Sequence, residues 1–299
     1  MGRKGVSSAE LVALALKLYR PLRVRTSLWR PGSDAVGELV CRLKGVVGRG
    51  DVLVLSEKAL SVAKGLVFDE TSIKPSRFSK LFTYILMRWV WGYFLGLMCK
   101  LKPNTLNWIR SYMITEGARH KQLAIKLGGL LEALKPSSEA GVDASNLPFS
   151  LVALPLNDAK AAAREVRQRL MEEAGVNVTV VVADSDRMYH HRRLSFALTS
   201  RRASVSGGIY MGALSFILGR TFRASFTPLA TPLAVDGPPL NRWLLLGLVE
   251  AADRARGFGA GRTAFDVARR LGAPVDGVTW SMLERVPHYP AVLFKPRRP

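Results

Sequence analysis

Acidic residues are scarce in this chain. Its 299 residues carry 23 Asp plus Glu against 44 Lys plus Arg, a formal charge of +21. Such a balance points to a polyanionic partner: nucleic acid, an acidic membrane surface or a phosphorylated small molecule. The positive residues form short clusters (RQR, HHRR, SRR, KPRRP) and no tail. This suits a basic face or a heat-adapted surface as well as a nucleic-acid groove. Cysteine is almost absent. Cys41 and Cys99 lie far apart without metal-ligand spacing, which fits a reduced, cytoplasmic compartment. Thermolabile amides are few, two Gln and six Asn, a weak sign of a thermophilic source. The first twenty residues lack an apolar core followed by a small-residue cleavage site, so no secretory signal is expected. Walker, dinucleotide-fingerprint, zinc and serine-elbow patterns are missing, as are internal repeats and long linkers.

What is present is core-forming. Hydrophobic residues make up 48% of the chain, which argues against disorder. The length allows one domain over residues 1–299, or two intimate lobes of about 1–140 and 141–299. One segment, LFTYILMRWVWGYFLGLMC from Leu81 to Cys99, is nearly all apolar and flanked by Lys80 and Lys100. It approaches the ~20 residues that span a bilayer. Arg88 near its middle opposes insertion by roughly 2.5–3.5 kcal/mol, and no second span accompanies it. The expectation is a helix buried in the monomer or a dimer interface, with membrane contact the weaker alternative.

Along the rest of the chain, patterning alternates between strand and helix. Residues 33–47 read as a helix capped by Ser33 or Asp34, and Val52 to Leu55 as a short buried strand. LLEALK is a candidate strand. SLVALP is a strand, NDAKAAAREVRQRLMEEAG a helix capped by Asn157 and stopped at Gly175, and VNVTVVVADSD a strand ending at Asp184. That succession predicts a parallel βαβ crossover. LSFALTS and PAVLF are strands, SVSGGIYMGA is a Gly-rich loop, and residues 240–257 and 263–272 are helices. The fold class is therefore α+β, with mixed sheets and a βαβ unit.

Chemistry-bearing residues cluster at two acidic turns. Asp184, followed by Ser185 and Asp186, sits where a parallel strand would open onto a ligand and offers hard oxygen ligands for Mg²⁺ or Mn²⁺. The second turn is GVDASN, with Asp143, Ser145 and Asn146; both stretches also read as ordinary polar turns. His190 to Arg193 offer phosphate donors, but in a strand His190 and His191 point to opposite faces and cannot share a metal. SGGIYMG is a weak phosphate cradle.

Taken together, GDVLVLSEKALSVAKG, AGVDASN, the stretch from LVALPLNDA to VVVADSD, and RRLSFALTS resemble the coenzyme F-420-0:L-glutamate ligase family, the GTP-dependent γ-glutamyl ligases of deazaflavin biosynthesis. The resemblance covers roughly residues 20–65 and 115–200 and is most specific in AGVDASN. It implies a mixed α/β fold, a homodimer, two divalent metals (Mg²⁺ or Mn²⁺) bridging GTP and the substrates, and a K⁺ ion. It implies that Asp143, Asp184 and Ser185 ligate metal. It implies nucleotide contacts from Asn146, from Ser27 and Leu28 in RTSL and from Ser61, with Arg192 and Arg193 as phosphate donors. The partners implied are L-glutamate and a phosphorylated deazaflavin-type coenzyme. The chain departs from the family pattern: Val62 and Lys64 replace the Lys and Glu of its SKAEG segment, and RTSL has no Gly. The helix at 240–257 offers Glu250 and Asp253 where the family carries acidic site residues. The alternative is a ligase-like homologue with altered or lost catalysis, acting as a basic nucleotide- or nucleic-acid-binding protein.

Overall fold

Apolar strands covered on both faces organise the chain. The computed structural model describes residues 6–137 and 139–297, and among them nine strands form. They are β1 (Tyr19–Thr26), β2 (Val52–Ser56), β3 (Val67–Asp69), β4 (Leu151–Ala153), β5 (Thr179–His191), β6 (Ala197–Thr199), β7 (Gly208–Tyr210), β8 (Phe226–Asp236) and β9 (His288–Pro296). Seven make one sheet in the order β1-β9-β2-β5-β6-β7, with β8 also paired to β5. β3 and β4 form a separate pair. The mixed sheet expected with the α+β class is present, in a mixed α/β architecture.

Alternation along β2 and β5 explains the layering. Leu53, Leu55, Val180 and Val182 bury against helices Ala35–Leu43 and Ala159–Ala174, through Leu39, Leu43, Val166 and Leu170. Val52, Val54, Val181 and Ala183 bury on the opposite face against helices Ser8–Leu18 and Arg242–Arg256, through Ala15, Leu248 and Ala252. A strand buried on both sides needs apolar residues at every position, which is why VLVL and VVVA read as continuous runs.

The parallel pairing differs from the expected crossover. β4 pairs antiparallel with β3 and never joins the main sheet, so the helix Ala159–Ala174 does not link two neighbouring strands. The parallel partner of β5 is β2, from Val52↔Thr179 to Ser56↔Ala183. β5 does not stop at Asp184 but continues to His191 along β8, with register shifts at Val182/Ala183 and Asp184/Arg187. Those bulges give Asp184 the look of a strand end. The helix after β4 is capped by Asp158, whose side chain accepts from the Ala161 N–H, and not by Asn157; Gly175 ends it with φ 66°. LLEALK is no strand either: Leu130–Ala133 is helical, and the Lys121 ammonium takes the carbonyls of Ala133 and Lys135. The Gly-rich SVSGGIYMGA contributes the exposed edge strand β7.

The apolar segment is a helix, Arg77–Met98, whose Tyr84–Leu95 turns are π-helical. Leu86, Met87 and Trp91 bury against Ile109, Phe216 and Ile217. Only a third of its most apolar stretch is buried, however, so burial inside the monomer is not realised. Among the described residues Arg88 meets no carboxylate; its Nη2 donates to the Tyr112 carbonyl at 3.0 Å.

Candidate functional site

Strand directions build the site. β8 covers one edge of β5 over nearly its full length, so β2 and β6 must share the other edge. β2 runs parallel to β5 and ends beside Ala183; β6 runs antiparallel, entering from Tyr189 and His190. The two strands approach each other head-on and leave an open stretch of β5 edge at residues 184–188. Glu57, following β2, and Arg201, following β6, meet there. Arg201 Nη2 donates to Glu57 Oε1 at 2.6 Å, and Nη1 donates to Asp184 Oδ2 at 2.9 Å.

The turn carrying Asp143 completes the opposite wall. Asp143 is bridged to Ala153, its Oδ1 accepts the Ser145 N–H at 2.7 Å, and Lys58 Nζ lies 3.0 Å from the same oxygen. Gly141 has φ 76°, and a Cβ there would lie 2.2 Å from Arg201 Nη1. The glycine of the AGVDASN motif is therefore demanded twice, by its backbone and by the guanidinium packed against it.

Asp143 and Asp184 line one cavity of about 480 Å³, together with Lys58, Ser185, Asp186, Arg187, Asp253 and Arg256. That volume is ordinary for a small-molecule site, typically about 300–1,000 Å³. Burial pushes the Asp184 carboxyl up, and Asp186 and Glu57 add to it against Arg201, to about 7. Burial works the same way on Asp143, but Lys58 and Ser145 hold its carboxyl below the usual carboxylate range. The Lys58 ammonium is lowered by burial, against the pull of Asp143 and Asp184. Arg256 brings two buried nitrogens, Nε and Nη2, without hydrogen-bond partners; Nη2 has only a 3.6 Å ion pair to Asp253. A guanidinium at a cavity wall with unpartnered nitrogens has hydrogen-bonding capacity left over, the chemistry that suits an oxyanion.

The other expected site residues divide. Ser185 lines the cavity and donates to Asp253 Oδ1 at 2.7 Å. This selects Asp253, of the two acidic candidates on the C-terminal helix, as the one facing the cavity; Glu250 is buried and binds Arg187 and the Ala230 N–H. Leu28 lines the cavity, while Ser27 binds Glu38 through its N–H and hydroxyl. Asn146 is a wall residue whose carboxamide is spent: it donates to the carbonyls of Phe258 and Gly261 and accepts from the N–H groups of Ala260 and Gly261. Ser61 is fully buried and bonded to the Leu154 carbonyl, so it presents nothing to a nucleotide. Arg192 and Arg193 follow the far end of β5, roughly 20 Å from Asp184 at ~3.3 Å per paired residue, since β8 advances only from Thr231 to Phe226 while β5 runs from Asp184 to His191. Neither lines the cavity. His190 is buried and pushed down to about 4 by burial and then Arg242, a neutral packing residue beside Trp243.

A family model described as F420-0:Gamma-glutamyl ligase matches residues 23–200. The chain belongs to this family. It is 34% identical to an uncharacterized protein of Methanocaldococcus jannaschii over 255 residues, 82% of this chain and 85% of that protein. It is 30% identical to the coenzyme F420:L-glutamate ligase of Methanopyrus kandleri over 156 residues, 52% of this chain and 55% of that enzyme. The matched stretch of the family contains Glu57, Lys58, Asp143 and Asp184, while Asp253 and Arg256 lie beyond it.

The resemblance implies divalent cations, and the donor set of the cavity bears on them. Among the described residues no group of three or more His, Cys, Asp or Glu side chains is placed to hold a metal. Asp143, Asp184 and the Ser185 hydroxyl nevertheless line one cavity, and Asp184 is crowded by like charge. One or two carboxylates, with the rest of the shell from water and phosphate, is the ordinary way Mg²⁺ is bound. The residues fit such a cation. Sequence reasoning missed Lys58, Arg201 and Arg256. Lys58 could have been flagged as a charge directly after a buried strand; nothing local to Arg201 or Arg256 announces a return to Asp184 or to the cavity.

Proposed function

We propose that the cavity is a nucleotide-driven ligation site, adding L-glutamate in γ-glutamyl linkage to a phosphorylated deazaflavin-type acceptor with GTP and a divalent cation. One observation carries the reading: a single cavity joins crowded carboxylates at Asp184 to a guanidinium, Arg256, with unpartnered nitrogens. A cation–phosphate pair satisfies both at once. A divalent ion held by Asp143, Asp184 and Ser185 supplies neutralisation of phosphate charge when bound. Arg256 and Lys58 hold phosphate oxygens and orient the γ-phosphorus. An acceptor carboxylate oxygen then attacks the γ-phosphorus and GDP leaves. The glutamate amine attacks the resulting acyl carbon, the amine gives up a proton, and inorganic phosphate departs.

The test is phosphate release with GTP, Mn²⁺, glutamate and acceptor, beside calorimetry of GTP–Mn²⁺ on the wild type and on Asp184→Asn. The reading requires binding by the wild type, none by Asp184→Asn, and release that needs glutamate. Equal binding by both proteins sinks it. Binding without release favours a ligase-like homologue that has lost catalysis, a reading helped by Ser61 being sealed in the core and Arg192 and Arg193 lying away from the cavity.

A further inference from the structure

The helix Arg77–Met98 leaves a long apolar stripe uncovered. Phe78, Leu81, Ile85, Trp89, Phe94 and Leu97 are between 46% and 79% exposed. Their spacing is three to five residues. In the α-helical first turns the stripe advances by three and four. Across the π-helical Tyr84–Leu95 it advances by four and five, matching the wider turn, so one face is kept throughout. The opposite face is committed to the protein through Leu86, Met87 and Trp91. Gly92 and Gly96 let Arg110 and Leu106 come close; a Cβ on Gly96 would lie 2.5 Å from Leu106. The helix is therefore half docked and half bare, and it cannot cross a bilayer without being torn from its own core.

The charge around this stripe is of one sign. Between Glu70 and Glu116 the chain has no Asp or Glu, and it has Lys74, Arg77, Lys80, Arg88, Lys100, Lys102 and Arg110. Arg77 and Lys80 are exposed at the beginning of the stripe, and Lys100 and Lys102 just beyond its end. A second copy laid on this face about a two-fold axis would bring two such basic sets together with no carboxylate from either segment to pair them. An anionic lipid surface complements both features: acyl chains accept the aromatic and aliphatic stripe, and headgroup phosphates accept the flanking ammonium and guanidinium groups.

We propose that Arg77–Met98 seats this protein on an anionic membrane surface as an interfacial helix. It lies flat, its exposed stripe entering the headgroup–acyl boundary while Lys80 and Lys100 reach the headgroups along their own methylene stems. This is independent of the ligation chemistry.

The test is co-sedimentation of the full chain with vesicles of phosphatidylcholine alone and of phosphatidylcholine mixed with phosphatidylglycerol. The wild type is expected to pellet with the anionic vesicles and stay soluble with the neutral ones. Trp89→Asp with Phe94→Asp should weaken partition at least about tenfold. Lys80→Glu with Lys100→Glu should do the same on anionic vesicles, since each basic group near such a surface is worth about fivefold. These side chains face solvent, so far-UV circular dichroism and the melting temperature should be unchanged. As a measurement free of substitutions, brominated acyl chains should quench wild-type tryptophan emission through Trp89. Three results overturn the proposal: no sedimentation with anionic vesicles, partition indifferent to both variants, or a lipid-free dimer by light scattering that Trp89→Asp with Phe94→Asp returns to monomer while vesicle binding is absent. The last would assign the stripe to a second copy.

Discussion

Replacing Glu139 by glutamine removes the one carboxylate shared by two buried cations. Its Oε1 lies 2.5 Å from Lys121 Nζ and its Oε2 2.8 Å from His120 Nε2, and both Glu139 and Lys121 are essentially without exposure. Lys121 would keep the Ala133 and Lys135 carbonyls but no counter-charge, and His120 would keep only Glu70 at 2.6 Å. Breaking a buried pair from one side costs about 3–5 kcal/mol, a large part of the ~5–15 kcal/mol that holds a protein folded. At ~2–4 °C per kcal/mol the melting temperature should fall by about 10 °C. The pH dependence adds a sign. Burial would lower the His120 imidazolium, but Glu139 and Glu70 carry it up to about 10, so its contribution is full below its ordinary ~6.5 and fades as pH rises through about 10. Burial opposes the Glu139 carboxylate, but Lys121 and His120 hold it well below the usual range. Its contribution is present above about 4.3 and is lost only in acid. The deficit of Glu139→Gln should therefore be largest near pH 6 and shrink toward pH 10. There the His120 benefit has gone in both proteins and Lys121, whose ammonium burial already lowers, can shed its proton. Thermal and urea unfolding at pH 6 and pH 10 measure this. A deficit under about 1 kcal/mol at pH 6, or one equal at both pH values, refutes the reasoning.

Other substitutions probe the cavity walls. Gly141→Ala puts a methyl 2.2 Å from Arg201 Nη1 at φ 76°, and should cost about 2 kcal/mol or more and loosen Arg201 from Asp184, read by urea unfolding and by the Asp184 carboxyl titration. Asn146→Ala deletes the bonds to the Phe258–Gly261 loop; about 2 kcal/mol of stability and faster protease cutting at that loop are expected, and unchanged cutting would count against the anchor role. Because the Asp184 carboxyl is raised to about 7, Mn²⁺ affinity should climb up to about tenfold per pH unit below 7 and flatten above it, a trend that calorimetry should find gone in Asp184→Asn.

What the sequence disclosed follows from which interactions are local. Helix ends were legible where a cap lies next to its helix: Asp34 accepts from Gly37, and Gly175 and Gly272 close their helices in the left-handed region. The continuous apolar runs of β2 and β5 announced burial on both faces. Strand β1 went unread because it alternates arginines with apolar residues and is held mainly by its pairing with β9, from Tyr19↔Pro296 onward; helix Ser8–Leu18 went unread although its Ser7–Glu10 capping box is a local signal. β8 was hidden by Pro228 and Pro232, which argue against a central strand. It tolerates them because β5 is its pairing partner in the sheet and its other side needs no donor. Burial of Leu81–Cys99 within the monomer was not legible because composition reports how apolar a helix is, and not whether the rest of the chain has surface left to cover it.

The site shows the same division more sharply. Asp143, Asp184 and Ser185 could be picked out because each sits in a short motif with its own turn chemistry: the Ser145 N–H on Asp143, the Asp186 N–H on Asp184. The cations that decide their charge come from elsewhere in the sequence. Lys58 reaches Asp143 across 85 positions and Arg201 reaches Glu57 across 144, and each contact depends on the strand order that brings β2 and β6 to the same edge of β5. Without those partners the carboxylates would read as a bare cation site; with them, Asp143 is held ionised while Asp184 stays crowded. Charge of both signs is thus kept close at hand before any ligand arrives. On the proposed ligation reading, an incoming phosphate would draw Lys58 and Arg256 without their crossing the cavity, and an incoming cation would find its carboxylates already fixed by backbone N–H groups. Fixing donors before binding is what makes such electrostatics effective, since little of the interaction is spent on rearrangement.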